Sequence, residues 1–365
     1  MGLHHQLFYS MHPNSPFKLK GKFSPESQVF QMVSSKDVAK YAGVSQTTVS
    51  RVVNTPHLVK GPTLKKVMAA IDALNYIPDG NARSLVQKKT DTIALISGPL
   101  SNPFFVETTT AIVNVANANG YRINVHFSND QNIAELYNVI FENKVDGIIL
   151  SSILLDDPAF EKLEKSGIPF ITFNRKHKSN KHFVEMDNVQ AGFLSADHLL
   201  SIGHENICWI GGPLEMSTFK GRFDGFLKAV EKHGAKVEPD HIFITDTSTE
   251  ELHQTFLALE NLAEKPTAIS AATDAIALQM MDFYISAGYR VPEDISIMGI
   301  DNVATSRHAS IQLTTVGLVS QVGLGQLAIE KLIHMIQEKN RSCIRITEAV
   351  RLFERNTTLK NSEGE

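Results

Sequence analysis

The chain has 365 residues, 42% of them hydrophobic and 20% charged, which is too long for one core and suits two or three soluble folded domains. No apolar run is long enough to cross a bilayer, and the first thirty residues lack the apolar core of a signal peptide, so export and membrane insertion are both disfavoured. Two cysteines, Cys208 and Cys343, cannot build a disulfide framework and are read as reduced, buried thiols, which suits a cytoplasmic protein. The net charge of −4 hides an asymmetry: residues 1–90 hold 12 Lys and Arg against 4 Asp and Glu, and the remainder holds 23 against 35. A basic head on an acidic body suggests that only the head meets a polyanion.

Residues 1–33 are mixed, proline-bearing and without period, and are expected to be a disordered leader, with Met32 as an alternative start. SSKDVAKYAGVSQTTVSRVVN then carries two helical patterns separated only by Ala42, Gly43 and Val44. Ser35 is placed to cap the first helix, Val38, Ala39 and Ala42 give it an apolar stripe, and Gly43 permits a sharp turn. Ser45 caps the second. Small residues at 39 and 42 allow the close crossing of a helix-turn-helix. With Val49 and Val52 turned inward, Gln46, Thr47, Ser50 and Arg51 face outward. Gln and Arg can each grip a purine edge through two hydrogen bonds, and Thr can meet a thymine methyl or a phosphate. A polar solvated face is the plainer alternative, but a merely solvated face does not require the absence of Asp and Glu from residues 38–71. A third helix is predicted over 63–74, with Pro62 in its first turn, Lys65 and Lys66 outward, and Val67, Ala70, Ile71 and Leu74 inward. Residues 79–90 follow as a hinge helix and linker. Leu85 there is either an ordinary exposed leucine or a wedge that enters the minor groove when the hinge folds on DNA.

From Thr92 onward short apolar strands alternate with helical segments: IALIS, RINVHF, VDGIILSS and PFITF, then NICWIGG, HIFITD, AISAA and ISIMGI. Two such series predict two doubly wound parallel-sheet lobes. Ligands of such sheets bind beyond the carboxyl ends of the strands. Those positions carry Asn102, Phe104 and Phe105, then Asn174 and Arg175, then Phe219 and Arg222, Thr273 and Asp274, and Asp301 and Asn302. An aromatic wall among Arg, Asp and Asn suits a hydroxyl-rich ligand. Each residue also has a plainer reading: Asp274 as a helix cap, Phe104 and Phe105 as core, Arg175 as a surface ion pair. Trp209, Gly211 and His204 are read as packing or turn residues. A helix over 320–337 is expected to return to the first lobe and AVRLFERNT to the second. The N-lobe then comprises about 91–188 plus 317–342, the C-lobe about 189–316 plus 343–358, and residues 359–365 form a tail. Three crossovers would allow the lobes to rotate.

DVAKYAGVSQTTVSRVVN, LNYIPDGNARSL, SNPFF, FNRK, GGP, RFDGF, ATDAIA and GIDN together resemble the LacI/GalR family of bacterial transcription regulators over about residues 34–358. The resemblance implies an all-α helix-turn-helix head over 34–78, joined by a hinge helix to a periplasmic-binding-protein-like α/β body. It implies DNA contacts from Ser45, Gln46, Thr47, Thr48, Ser50, Arg51, Asn54, Ala82 and Leu85. Effector contacts are implied at Asn102, Phe104, Phe105, Arg175, Phe219, Arg222, Thr273 and Asp301, of which Arg222 and Asp301 match the most general positions. Lys60, Gly61, Asp79 and Thr273 depart from the family's usual residues.

The implied function is a homodimeric, effector-controlled regulator, most simply a repressor, bound to a pseudo-palindromic double-stranded DNA operator. The absence of a leucine heptad in LKNSEGE favours a dimer over a tetramer. A sugar or sugar phosphate is expected as effector in preference to a nucleobase. No cofactor, metal or catalytic residue is expected. Against a transport component stand the basic head and the missing signal peptide. Against an enzyme stands the lack of G-x-G-x-x-G, G-x-x-x-x-G-K-[ST] and H-E-x-x-H.

Overall fold

The computed structural model describes residues 33–78, 89–128, 133–338 and 342–361, and the chain separates into two units, Met1–Arg83 and Ser84–Glu365. Apart from Val33 the expected leader lies outside the described residues, as does the hinge segment with Ala82 and Leu85.

The head contains α1 (Ser35–Ala42), α2 (Gln46–Asn54), a 3-10 turn at Pro56–Leu58 and α3 (Gly61–Ala73). Ser34, not Ser35, caps α1: its hydroxyl accepts from the Asp37 amide while the Asp37 carboxylate accepts from the Ser34 amide. The reciprocal pair needs an acid three residues on, which only Ser34 has. Gly43 ends α1 at φ 59°, a left-handed conformation, and Ser45 starts α2. Helix α3 begins at Gly61 rather than Thr63, because Lys60 stays extended and Pro62 fits the first turn. Val38, Ala39, Ala42, Val49, Val52, Val67 and Ala70 form the small core between the three helices.

The body holds two sheets of six strands among the described residues. In the first lobe, β1 (Thr92–Ser97), β2 (Arg122–Phe127), β3 (Gly147–Leu150), β4 (Phe170–Phe173) and β5 (Phe183–Met186) lie in the order β5-β4-β3-β1-β2, with α4 (Pro103–Ala118), α5 (Ile133–Glu142) and α6 (Phe160–Lys165) between them. All described pairings of this sheet are parallel; Ile93 sits between Ile123 and Gly147. The second lobe repeats the winding with β6 (Ile207–Gly211), β7 (Ile242–Ile244), β8 (Ala268–Ala271), β9 (Ser296–Ile300) and β10 (Thr314–Leu318), in the order β10-β9-β8-β6-β7. Its helices are α7 (Asn188–Ser201), α8 (Ser217–His233), α9 (Thr249–Glu260) and α10 (Asp274–Ser286). In both sheets the strand order reverses beside the first strand, which is where such sheets open a crevice.

Helix α11 (Leu324–Glu338) buries Leu324, Ala328, Ile329, Leu332 and Ile333 against the first sheet, as expected for the return crossing. The lobe boundaries differ from the expected ones. Strand β11 (Arg345–Glu348) pairs in parallel with β5 of the first lobe, and only β12 (Val350–Phe353) reaches the second lobe, where it pairs antiparallel with β10. Residues 343–348 therefore belong to the first sheet, and β10 carries 317–318 into the second. Alternating burial along β11 marks an edge strand of either sheet, so its side was not readable locally. The three crossovers are hydrogen-bonded to one another, Asp187 N–H to Glu348 O at 2.9 Å and Val319 N–H to Ala349 O at 2.9 Å. Cys208 is buried in β6, but Cys343 is exposed, contrary to the expectation of two buried thiols.

Candidate DNA-reading head and effector cleft

In the head, burial of Val49 and Val52 turns the opposite side of α2 outward. Gln46, Thr47, Ser50 and Arg51 are exposed, and Thr48 and Asn54 are half-buried. Positions 47, 50, 51 and 54 follow i, i+3, i+4, i+7 and so share one face. The start of this face is held rigidly. Ser45 Oγ lies 2.8 Å from Thr48 Oγ1, the Gln46 amide donates to Ser35 Oγ at 2.9 Å, and the Asn54 amide donates to Ser50 Oγ at 3.2 Å. Ser45 and Thr48 are thus occupied with capping, which leaves Thr47 and Arg51 as outward groups whose side chains hold no helix contact among the described residues. Asn54 Oδ1 is buried without a partner among the described residues, so it is available to a group that docks against this end of α2.

In the body, the carboxyl ends of the strands surround a cleft of about 510 Å³ between the lobes. All eight residues inferred for an effector line it: Asn102, Phe104, Phe105 and Arg175 from the first lobe, and Phe219, Arg222, Thr273 and Asp301 from the second. The two lobes wall it alike. Gly98 just after β1 and Gly212 just after β6 each admit an aromatic ring: a Cβ there would stand 2.4 Å from Phe105 and 2.2 Å from Phe219.

Helix α8 begins at Ser217, so Phe219 and Arg222 project from successive turns of one helix. The Arg222 guanidinium is 1% exposed. It donates to Asp301 Oδ1 at 2.7 Å, to the Ala272 carbonyl at 2.6 Å and, through Nε, to Asn188 Oδ1 at 3.1 Å. Burial raises the Asp301 carboxyl above the ordinary carboxylate range, against the pull of Arg222. Asp301 has φ 131° and Asn174 φ 65°, conformations that side-chain-bearing residues rarely adopt and that are stored mostly where geometry serves a site. Arg175 reaches Ser152 Oγ at 3.4 Å.

Two of the eight residues inferred for an effector are capping groups. Asn102 accepts from the Phe104 amide to start α4, and Thr273 accepts from the Ile276 amide to start α10. Asp274 is not the cap of α10. It is fully buried, accepting from the Val303 amide at 2.9 Å and from Thr315 Oγ1 at 2.5 Å, and so ties the turn after β9 to β10. Burial first, and the charge of Asp301 second, push its carboxyl up to about 7. Trp209 and His204 are interior: Trp209 is fully buried in β6, and His204 bonds Thr267 and Ser296.

Sequence reasoning missed several cleft residues. Ser128 follows β2, Ser152 follows β3, and Asp246, Thr247, Ser248 and Thr249 follow β7. The carboxyl-end rule applied to every strand finds all of these. Met216 precedes α8, and Gln279 lies on α10 with no local signal. The lobes also touch at the cleft rim, where the Lys176 amide donates to Ser217 Oγ at 2.8 Å and Thr218 Oγ1 donates to the Asn174 carbonyl at 2.7 Å. No group of metal-ligating side chains occurs among the described residues, and no helix there is long and apolar enough to cross a membrane.

A helix-turn-helix head and a two-lobed body whose strands open onto a polar and aromatic cleft define the class of ligand-responsive, DNA-binding transcription regulators, which are not enzymes. Residues 35–79 match the model for bacterial regulatory proteins of the lacI family, and residues 90–356 match that for periplasmic binding proteins and the sugar-binding domain of the LacI family. The chain belongs to the LacI family. It is 33% identical over 314 residues to an HTH-type transcriptional repressor PurR of Glaesserella parasuis serovar 5 (strain SH0165), covering 85% of this chain and 92% of the relative. It is 34% identical to the PurR repressor of Proteus mirabilis (strain HI4320), over 89% of this chain and 96% of that one. Among solved structures, the Lac repressor dimer bound to operator and the anti-inducer ONPF superposes with a TM-score of 0.76 at 28% identity, over 90% of this chain and all of that one. The complex of the transcriptional regulator CelR with cellobiose superposes with a TM-score of 0.66 at 25% identity, over 89% of this chain and 99% of that one.

Proposed function

We propose that the chain is a repressor that binds a pseudo-palindromic operator as a homodimer and changes its operator affinity when a small molecule occupies the cleft of the body. The observation that carries the DNA-reading part is the exposed Thr47, Ser50 and Arg51 face on a helix whose other side is the core of an acid-poor head. Arg51 is assigned to a guanine edge and Thr47 and Gln46 to neighbouring bases. Ser45, Thr48, Ser50 and Asn54 serve backbone contacts, and Ala82 and Leu85 enter the minor groove. The repressing sense is supported by the relatives named as repressors. Operators selected from a random duplex pool by the full-length protein, then titrated with Arg51→Ala, test this. Loss of discrimination at one base position of each half-site is expected at about tenfold or more. Unchanged discrimination refutes the assignment of Arg51.

For the effector, the cleft combines two arginines with two aspartates, many hydroxyls and amides, and three phenylalanine rings. That chemistry suits an uncharged or weakly charged ring compound with several hydroxyls, a sugar or sugar derivative. A nucleobase or nucleoside is the second reading, favoured by the flat faces of Phe104, Phe105 and Phe219 and by the PurR relatives. A thermal-shift screen over pentoses, hexoses, their phosphates, purine bases and nucleosides separates the two, since a ligand at 100 times its Kd adds about 2.7 kcal/mol to the stability of the folded body.

A further inference from the structure

We infer that Glu185 and Asn188 are positioning residues for Arg222: a chain of hydrogen bonds, Lys176–Glu185–Asn188–Arg222, sets the guanidinium in the cleft of the second lobe from the frame of the first. The inference rests on the reading of Arg222 as an effector contact. Lys176 follows β4 and Glu185 lies on β5, both in the first lobe. The Lys176 ammonium donates to Glu185 Oε1 at 2.5 Å. The other carboxylate oxygen, Oε2, accepts from the Asn188 amide at 3.4 Å. Asn188 is the first residue of α7, directly after the Asp187 crossover, and its Oδ1 accepts from Arg222 Nε at 3.1 Å. An amide can serve a carboxylate and a guanidinium together in one orientation only, nitrogen toward the acid and oxygen toward the base. The side chain of Asn188 is therefore committed in both directions across the crossover.

Two observations indicate that this line is more than incidental packing. Glu185 is 4% exposed and Asn188 5% exposed, so the chain runs through the interior, where hydrogen bonds to charged groups are strong and unpaired polar groups costly. Burial lifts the Glu185 carboxyl above its ordinary range in spite of Lys176. Apolar side chains often fill such a place without loss of stability, so a buried acid at the lobe crossover fits a role in orientation better than one in stability. The contact between α7 and α8 is also closed to adjustment. A Cβ on Gly192 would stand 1.8 Å from the Arg222 carbonyl oxygen, and one on Gly221 would stand 2.9 Å from Asn188 Cβ. With the backbones locked, Asn188 and Arg222 move together.

The test reads Arg222 directly and needs no ligand. The full-length protein carries 15N-labelled arginine and tryptophan, and the Arg222 Nε–H signal is identified by its loss in Arg222→Lys. Its solvent exchange is compared with that of the Trp209 indole N–H, which is buried in the same lobe and outside the chain of bonds. Asn188→Ala is expected to speed Arg222 exchange about tenfold or more, the loss of one bond to a charged group. Glu185→Ala, which leaves Asn188 in place, is expected to speed it at least threefold, and Glu185→Gln, which retains an acceptor for Asn188, to restore it to within twofold. Lys176→Met changes a half-exposed side chain that the fold tolerates, and is expected to act in the same direction as Glu185→Ala. Trp209 exchange stays constant throughout. Arg222 exchange that remains within twofold of wild type in Glu185→Ala, or in Lys176→Met should the former not fold, overturns the inference, as does a rise shared equally by Trp209. A screen that finds no cleft ligand defeats the effector reading of Arg222 and leaves this measurement standing.

Discussion

Replacing Asp301 by Asn removes one charge from a pair in which both side chains are almost fully enclosed, 1% exposed for Arg222 and 4% for Asp301. At an effective dielectric of about 20, two unit charges about 3 Å apart attract by roughly 5 kcal/mol. The amide is nearly isosteric and keeps one oxygen to accept from the guanidinium, which recovers part of that. The guanidinium also retains its bonds to Ala272 and Asn188. What remains is a buried cation without a counter-charge, a situation that costs about 3–5 kcal/mol when one partner of a buried pair is lost. Trp209, the only tryptophan in the chain, is fully buried in β6 of the same lobe, so urea unfolding followed by its fluorescence reads the affected core. Asp301→Asn is expected to lower the unfolding free energy of that lobe by about 3 kcal/mol or more. Arg222→Met combined with Asp301→Leu is expected to cost less than the two single changes added together. A stability for Asp301→Asn within about 1 kcal/mol of wild type refutes the view that the pair is charged and mutually dependent.

Three further outcomes follow from other parts of the structure. Asp274, pushed up to about 7 by burial, holds its proton more tightly in the folded chain than in the unfolded one, so its contribution is present at acid pH and is lost as pH rises from about 4 through 7; urea unfolding of Asp274→Asn against wild type at pH 5 and pH 8 should shift in favour of the variant at the higher pH, and a difference that does not move counts against the raised value. Gly225→Ala would bring a Cβ to 2.0 Å from the Val189 carbonyl oxygen and force α7 from α8, so a loss of about 2 kcal/mol or more is expected in the same assay, and neutral behaviour would mean that the helices can separate freely. Ser34→Ala deletes the two hydrogen bonds of the serine hydroxyl to Asp37 while leaving the Ser34 amide bonded to the Asp37 carboxylate, and should lower the thermal stability of the head by about 1 kcal/mol, read from far-ultraviolet circular dichroism, with Ser35→Ala the smaller of the two effects.

Much of this protein was legible from local pattern because its elements are the kind that local pattern specifies. The valine stripe of α2, the glycine at the end of α1 and the short apolar strands between amphipathic helices each follow from periodicity and backbone preference within a dozen residues. The carboxyl-end rule then found nine residues of one cleft, Asn174 among them, although they come from five separate places in the chain. It was not carried to the ends of β2, β3 and β7, so Ser128, Ser152 and the 246–249 loop were passed over, where the residues following a strand are polar and look like any turn. Ser34 was missed for Ser35 because adjacent serines compete for one cap, and the choice depends on which of them the Asp37 carboxylate can reach.

The sequence by itself determined that there is a basic three-helix head, that an α/β body of two repeated halves follows it, and which residues stand at the strand ends, since each of these depends on neighbours close along the chain. Only the tertiary structure decided that β11 joins the first sheet and β12 the second, that Asp274 is an interior tie rather than a cap, and that Glu185 and Arg222, far apart in the chain, are joined through one asparagine. These depend on which distant surfaces meet, and an edge strand or a buried carboxylate carries no local mark of the partner that will satisfy it.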